Sequence, residues 1–274
     1  MTLEPFSTGD IAVFLALAAE ENWVVEPWEF DFLLLAFPQG CFVARSENGE
    51  PIGFVTSLRH DRSGWIGNLI VAVEHRGRGV GEKLFSAALA ALHASGAATF
   101  WLTASKSGAP LYEKYGFTGI DEIIRWVGEG RQRHTPGDFP VVRGVLDSSE
   151  TDVDFRAWGD RRDVLLTATT GRGHLFHDES GFISLQSCGD FVQFGPFSAV
   201  DSGGAHRLFD VASRNVAQGT KVFVDAPASN REAFSLFNRK RMKIAGSNLL
   251  MYAGKKAAYR PEWIYGLATM GSCG

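Results

Sequence analysis

The sequence is poor in cysteine, and its cysteines form no recognisable pair. Cys41, Cys188 and Cys273 are odd in number, widely separated and in no Cys-x-x-Cys arrangement. Neither a disulfide framework nor a zinc knuckle is supported by this pattern. A reducing compartment fits it best.

Long hydrophobic runs are also missing. No uninterrupted apolar stretch reaches the eighteen or so residues that a membrane-spanning helix requires, and the segment from Met1 to Pro5 has no basic residue of the kind that begins a signal peptide. We therefore expect a soluble, cytoplasmic protein without a membrane partner.

A strong excess of one charge is absent as well. The 27 basic and 31 acidic residues give a formal net charge of −4, so a chain-wide basic surface for nucleic acid is not expected. The chain has 274 residues, of which 45% are hydrophobic, and this is enough for two globular domains.

Apolar periodicity and turn residues predict a mixed α/β (α+β) first half. Ser7, three residues before Asp10, marks a helix start. Further on, an Asn-Gly turn joins two short apolar runs into a hairpin. The elements predicted after it are a strand at 65–73, a loop of alternating arginine and glycine, a helix at 82–93, a strand at 99–103, a short helix at 109–115 and a strand at 120–127.

An internal repeat predicts that the second half copies the first. Gly53-Phe54-Val55 corresponds to Gly181-Phe182-Ile183, and Tyr112 corresponds to Phe237. The second copy keeps two glycines near residue 203 but lacks the flanking arginines.

The segment between the copies is polar, poor in apolar residues and contains Pro136. It predicts a linker at 131–139, with one domain at 1–130 and a second at 140–274. The linker's Arg131, Arg133 and His134 could contact a phosphate, but a short charged stretch is more often solvated.

The most informative stretch runs from Val71 to Leu84, between a strand and a helix. Glycines there let the backbone approach a ligand, and free amides at a helix start favour a phosphate. A dinucleotide-binding motif would need a third glycine where Glu82 stands. A P-loop would need Gly-Lys-Ser/Thr where Gly81-Glu82-Lys83 stands.

These residues resemble the pyrophosphate loop of the GNAT N-acetyltransferase superfamily, Arg/Gln-x-x-Gly-x-Gly/Ala, at Arg76, Gly79 and Gly81. The family's second signature, Leu-Tyr-x-x-x-Gly-Phe, is matched by residues 111–117. The resemblance covers roughly residues 3–127, and the whole chain looks like tandem GNAT proteins with a degenerate second half. It implies two GNAT-like domains, each with a mixed, mostly antiparallel sheet flanked by helices.

The resemblance further implies that acetyl-CoA, or another acyl-CoA, is the co-substrate and that no metal is needed. Backbone groups of Ile70, Val71 and Val73 would pair with the pantetheine arm, and the amides from Arg78 to Glu82 would hold the pyrophosphate. The residues expected at the cofactor beyond the strand are Arg76, Gly77, Arg78, Gly79, Val80, Gly81, Glu82 and Ser105.

The implied activity is N-acetyl transfer to an amine, in one step within a ternary complex. Tyr112 stands at the family's position for a general acid that protonates the departing thiolate. The acceptor would be a small-molecule or peptide amine, and an oligomer is possible. The alternative is a non-catalytic protein that binds or senses acyl-CoA.

Two departures from the family pattern permit that alternative, whereas Tyr112 argues against it. Ser105 replaces an asparagine that contacts the cofactor in many members, and Gly67 replaces a glutamate that often serves as base. The base is therefore unidentified.

Other residues have less specific interpretations. The candidates for the base are Glu26, Glu29, Asp31 and His60, and the last is typical of an exposed loop residue. The aromatic residues Trp23, Trp28, Phe30, Phe32 and Phe37 could line the acceptor pocket, but their spacing is more typical of a core. The mixed charges around Arg161 and Arg162 predict a solvated face.

Overall fold

The computed structural model describes residues 1–131 and 146–274. Its helices are α1 Ile11–Glu20, α2 Pro27–Ala36, α3 Val80–Ala94, α4 Ala109–Glu113, α5 Ser148–Trp158, α6 Asp163–Thr170, α7 Ser202–Arg214 and α8 Arg231–Arg239. Its strands are β1 Thr2–Pro5, β2 Phe42–Arg45, β3 Pro51–Arg59, β4 Ser63–Val71, β5 Thr99–Ala104, β6 Thr118–Glu129, β7 His174–Asp178, β8 Gly181–Cys188, β9 Phe191–Ala199, β10 Lys221–Pro227, β11 Lys243–Gly254 and β12 Ile264–Gly266.

The strands form one continuous 12-stranded sheet in the order β1-β2-β3-β4-β5-β11-β6-β10-β9-β8-β7, with β12 paired to β9. Most neighbours are antiparallel, while β4–β5 and β9–β10 are parallel. The predicted mixed, mostly antiparallel sheet with flanking helices is confirmed.

The two halves exchange their long strands near the centre of this sheet. The first half's β6 pairs with β10 of the second half, with Val127 opposite Phe223. The second half's β11 pairs with β5 of the first, with Leu250 opposite Thr103. Because β6 and β11 also pair with each other, neither half has a complete sheet of its own.

Helix α3 packs one side on the first half of the sheet. Its buried residues Leu84, Phe85, Ala88 and Leu92 recur every three or four positions, as one face of an α-helix requires. Because this face packs on the sheet, α3 supports the turn that precedes it.

A second core joins the halves. Trp158, at the end of α5, lies 6.0 Å from both Trp65 and Trp101, ring centroid to ring centroid. The buried carboxylate of Asp160 accepts hydrogen bonds from the amides of Arg62 and Ser63, at 3.1 and 2.8 Å. The halves therefore form one packed unit.

The prediction of a solvated face around Arg161 and Arg162 is wrong for Arg162. Its guanidinium is buried, binds Asp154 through two hydrogen bonds of 3.0 and 2.6 Å, and lies over the ring of Trp158. A buried arginine requires such a pairing, because removing its charge from water is costly. Arg161 is exposed and pairs with Asp152, as a solvated residue would.

The predicted linker lies mostly outside the described residues, as do Arg133 and His134. Arg131, its first residue, donates its amide to the carbonyl oxygen of Ser213 at 2.9 Å. It is the point at which the described part of the first half ends.

Candidate active site

Strands β4 and β5 begin side by side and then separate. They pair in parallel at Ser63–Thr99, Gly64–Phe100 and Trp65–Trp101, and no further. Beyond these pairs β4 continues to Val71 alongside β3, and β5 continues to Ala104 alongside β11. The inner edges of β4 and β5 are thus left open to an extended ligand.

The turn after β4 presents a row of free backbone amides. Gly77 and Gly79 have φ of 71° and 77°, a left-handed conformation that glycine adopts without strain. Within the described residues, no acceptor receives the amide N–H of any residue from Gly77 to Glu82. Free amides of this kind, together with the dipole of α3, would favour an anion at this turn.

The other cofactor residues expected from the sequence lie along this turn or at its ends. Ile70 and Val71 are the last two residues of β4. The sequence predicts Val73 in the same strand, and this prediction is wrong. Val73 stands in a one-turn helix, where its carbonyl oxygen accepts the amide of Arg76 at 3.2 Å. Ser105 follows β5, and its hydroxyl accepts the amide of Gly108 at 3.1 Å.

The two arginines of the turn behave differently. Arg76 donates from Nε to the carbonyl oxygen of Val71 at 2.8 Å and pairs with Glu21 at 2.5 Å. It therefore fastens the turn to the end of β4. Arg78 is exposed and has no hydrogen bond or ion pair among the described residues.

Tyr112 lies on the short helix α4 and lines a cavity of about 250 Å³ at the separation of β4 and β5. Its ring packs 4.9 Å from that of Phe85 on α3. Burial raises the pKa of Tyr112 to about 12, so the phenol is protonated at neutral pH. Its neighbour Tyr115 is held elsewhere, 2.7 Å from the hydroxyl of Ser86.

Glu29, on α2, is the base candidate that the structure brings to this cavity. Its Oε1 accepts a hydrogen bond of 3.2 Å from Asn68, whose amide also contacts Thr56 at 3.1 Å. Burial raises the pKa of Glu29, and the side chains of Ser272 and Asn68 offset part of that rise. Asn68 interrupts the regular pairing of β4 with a φ of 53°, which asparagine tolerates better than most residues.

The other base candidates do not line the cavity. Asp31 is exposed and Glu26 precedes α2. The expectation that His60 is exposed is wrong, because residues of the second half cover it. Burial and the positive charge of Arg162 lower its pKa to about 3.

The predicted core position applies to the three phenylalanines among the aromatic candidates and not to the two tryptophans. Phe30 and Phe37 are buried in the core of the first half, and Phe32 packs against it. Trp23 lines the cavity, whereas Trp28 lies under the guanidinium of Arg172 at 4.6 Å.

Both halves contribute to a wall of the cavity that the sequence did not reveal. The wall consists of Arg125 on β6, Asn248 on β11 and the segment Met270, Gly271 and Ser272 near the C-terminus. The carbonyl oxygen of Gly271 accepts hydrogen bonds from Trp65 Nε1 and Thr103 Oγ1, both at 3.1 Å. Among these residues only Arg125 has a recognisable sequence signal, because it is a charged residue within an apolar run.

The same segment explains the glycine at position 67. A Cβ built on Gly67 would lie 2.0 Å from the carbonyl oxygen of Ser272. No glutamate could stand there without displacing the C-terminal segment.

The corresponding ligand cleft of the second half is filled by the chain itself. Strands β9 and β10 separate after three parallel pairs, as β4 and β5 do. Strand β12 enters the gap, where Ile264 pairs with Ser198 and the amide of Leu267 donates to the carbonyl oxygen of Asp225 at 2.8 Å. At the start of α7, the carboxylate of Asp201 accepts the amide of Gly204 at 2.8 Å, in the position of an anionic ligand.

Two general features complete the description. No helix in the described part of the chain combines the length and apolarity needed to cross a membrane. Residues 1–131 and 146–274 contain no cluster of three or more histidine, cysteine or acidic side chains arranged for a metal ion.

Comparison with known proteins finds the same domain twice. Residues 38–119 and, separately, residues 151–266 match models of an acetyltransferase (GNAT) domain. A comparison with curated proteins finds no match.

Solved structures match the whole chain. One is a proposed acetyltransferase from Pyrococcus horikoshii, with a TM-score of 0.85, 22% identity, and coverage of 99% of this chain and 95% of that one. Another is a GCN5-related N-acetyltransferase from Sphaerobacter thermophilus, with a TM-score of 0.65, 17% identity, and coverage of 94% and 98%. At these identities the likeness concerns the fold alone.

Proposed function

Because the chain is a tandem protein of the GNAT acetyltransferase superfamily, we propose that it transfers an acyl group, most simply acetyl, from acyl-CoA to the amine of an acceptor. The observation that carries this proposal is the row of free amides from Gly77 to Glu82 beside the open edge of β4. With its diphosphate on these amides, acyl-CoA would lie with its pantetheine arm along Ile70 and Val71. Its thioester would then reach the cavity that contains Tyr112.

Tyr112 and Glu29 divide the proton transfers of the reaction. The acceptor nitrogen attacks the thioester carbonyl carbon, a C–N bond forms and the C–S bond breaks. Glu29, as carboxylate, takes the proton that the nitrogen loses. Tyr112 gives its proton to the departing thiolate and regains one from solvent, so that the products are the amide and the free thiol.

The raised pKa of each group suits its role. A phenol with a pKa of about 12 is fully protonated when the thiolate leaves. A carboxylate whose pKa lies above its ordinary value is a stronger base towards an ammonium group than an exposed glutamate is.

The second half is not expected to bind acyl-CoA, so we expect one acyl-CoA per chain. Its cleft contains β12, and the carboxylate of Asp201 occupies the amides at the start of α7. The second half acts as a wall of the acceptor site and as a partner in the sheet.

The alternative, a protein that binds or senses acyl-CoA without turnover, requires no acid and base at one cavity. Tyr112 and Glu29 both line the cavity next to the cofactor cleft, which favours the transferase. Release of free thiol from acetyl-CoA, measured over a panel of amines, separates the two functions. Acceptor-dependent release supports the transferase, whereas binding of acetyl-CoA without release across the panel supports the sensor.

A further inference from the structure

The acceptor cavity is bounded on two sides by elements that limit what can enter it, β11 with β6 and the segment at residues 270–272. The sheet is continuous from β5 through β11 to β6, so hydrogen-bonded strands stand where an extended peptide would have to pass. On the other side, the C-terminal segment lies directly on β4 at Gly67.

The C-terminal segment is fixed in place. Besides the two hydrogen bonds to Gly271, the carbonyl oxygen of Ala268 accepts the side-chain amide of Gln186 at 2.8 Å. The amide of Cys273 donates to Thr269 Oγ1 at 3.0 Å, and both side chains are buried. This wall is part of the folded core.

The size of the cavity sets a limit on the acceptor. Its volume of about 250 Å³ lies below the ~300–1,000 Å³ that is typical of pockets for drug-sized ligands. The acyl end of the cofactor must share this space. A free amine of amino-acid size fits the space that remains.

The charges of the lining indicate the chemistry of the acceptor. Glu29 provides an anionic group for an ammonium ion. Arg125 uses Nε and Nη2 on Asp225, at 2.8 and 2.6 Å, and its Nη1 has no partner among the described residues. Asp225 is buried and holds the guanidinium in one orientation, which leaves donors for an oxygen of the ligand.

We infer that the acceptor is a small amine, of amino-acid size, that also carries a carboxylate or another oxygen acceptor, and that β6, β11 and residues 270–272 exclude polypeptides. This inference rests on the proposed acyl transfer and names its substrate class.

Aminooxy compounds test the inference without knowledge of the natural acceptor, because they share one reactive nitrogen and differ in the group attached to it. Thiol release from acetyl-CoA is measured with hydroxylamine, aminooxyacetate, O-propylhydroxylamine and a tetrapeptide that bears an N-terminal aminooxyacetyl group. Aminooxyacetate is expected to react at least about tenfold faster than the peptide and several-fold faster than O-propylhydroxylamine. Equal rates for aminooxyacetate and the peptide would overturn the size limit, and equal rates for aminooxyacetate and O-propylhydroxylamine would overturn the oxygen-binding role of Arg125.

A pair of matched variants shows whether the wall is responsible. Asn248→Trp narrows the cavity from β11, while Ile244→Trp places the same side chain on the same strand outside it; both positions are exposed. Asn248→Trp should slow aminooxyacetate about tenfold more than it slows hydroxylamine and leave the affinity for CoA unchanged, and Ile244→Trp should change none of these. Unchanged aminooxyacetate rates in Asn248→Trp would contradict the inference. Binding of CoA with no release for any probe would instead contradict the transferase and, with it, this inference.

Discussion

Burial acts in the same direction on the two side chains that we propose as acid and base. It disfavours the charged form of Tyr112 and of Glu29, and so raises the pKa of both. For the phenol this preserves the proton that the thiolate needs. For the carboxylate it strengthens a base that is ionised only above its raised pKa.

Tyr112→Phe removes the acid and retains the ring that packs on Phe85. We expect kcat at saturating acetyl-CoA to fall about 10²-fold or more, because a positioned acid contributes on that scale. The affinity for CoA should not change. Tyr115→Phe is the control, since Tyr115 contacts Ser86 and Glu82 outside the cavity. Full turnover in Tyr112→Phe would remove the acid assignment.

Glu29→Gln tests the base through the pH profile. In the native protein kcat should fall as the pH drops through the raised pKa of Glu29, because only the carboxylate accepts a proton. The variant should lose this acid limb together with about 10²-fold in kcat. Asn68→Gly, which keeps the positive φ and removes a hydrogen bond to the carboxylate, should move the limb to higher pH.

Glu29→Gln also has an effect on stability. A folded pKa above the unfolded value means that folding favours the protonated group, so at pH 7 the ionised side chain destabilises the protein. The variant should therefore have a higher melting temperature than the native chain at pH 7, with a smaller difference as the pH falls. An unchanged acid limb together with a raised melting temperature would make Glu29 a buried residue without the base role.

At this scale the sequence predicted some positions better than others. Tyr112 and the turn glycines carry a local pattern, and the structure brings them next to one cleft. Ser272 and Asn248 carry none, because they reach the cavity through contacts between residues more than a hundred positions apart. His60 was misjudged for the same reason: its sequence neighbours are charged, but its cover comes from the second half.

Among the elements, the turn before α3 is the one whose backbone conformation bears on ligand binding. Gly79 begins the helix with a φ of 77°, and Gly96 follows it with a φ of 85°. An added Cβ at either position would meet no atom within 4 Å. Alanine at each should therefore cost a similar ~1–2 kcal/mol of backbone strain.

This symmetry gives a matched test of the turn. Gly79→Ala should raise the KM for acetyl-CoA at least about tenfold, because the amides around position 79 leave their alignment. Gly96→Ala should lose comparable stability in urea unfolding and keep the native KM. A KM that rises equally in both variants would mean that loss of stability, and not the turn, accounts for the effect.

The elements of the second half fill the cleft that corresponds to the one between β4 and β5. In the second half, the start of α7 is capped by the carboxylate of Asp201, whereas α3 in the first half has no side-chain cap. The sequence indicated this difference through missing arginines. It gave no sign of β12, since a strand of three residues has too little periodicity to be recognised.

For the whole molecule, the exchange of β6 and β11 ties the halves into one cooperative unit. Separated fragments 1–131 and 146–274 would each lack a central strand and expose unpaired edges. We expect each fragment alone to aggregate or remain unfolded, and the full chain to unfold in a single transition. Two separate transitions for the full chain in calorimetry, or a stable fragment 1–131, would contradict this expectation.

The repeat in the sequence predicted two similar halves but not their exchange. Local patterns define each strand and its faces, and they do not specify which of two similar partners the strand will join. The predicted domain boundary thus describes the order of the chain, whereas the sheet is shared between its two parts.

The most direct measurement is a calorimetric titration of acetyl-CoA into the full chain. The free amides from Gly77 to Glu82 should bind one molecule per chain in the native protein, with the affinity reduced at least tenfold by Gly79→Ala and retained in Gly96→Ala. Two equal sites per chain, or an unaltered isotherm in Gly79→Ala, would contradict the assignment of the cofactor to this turn.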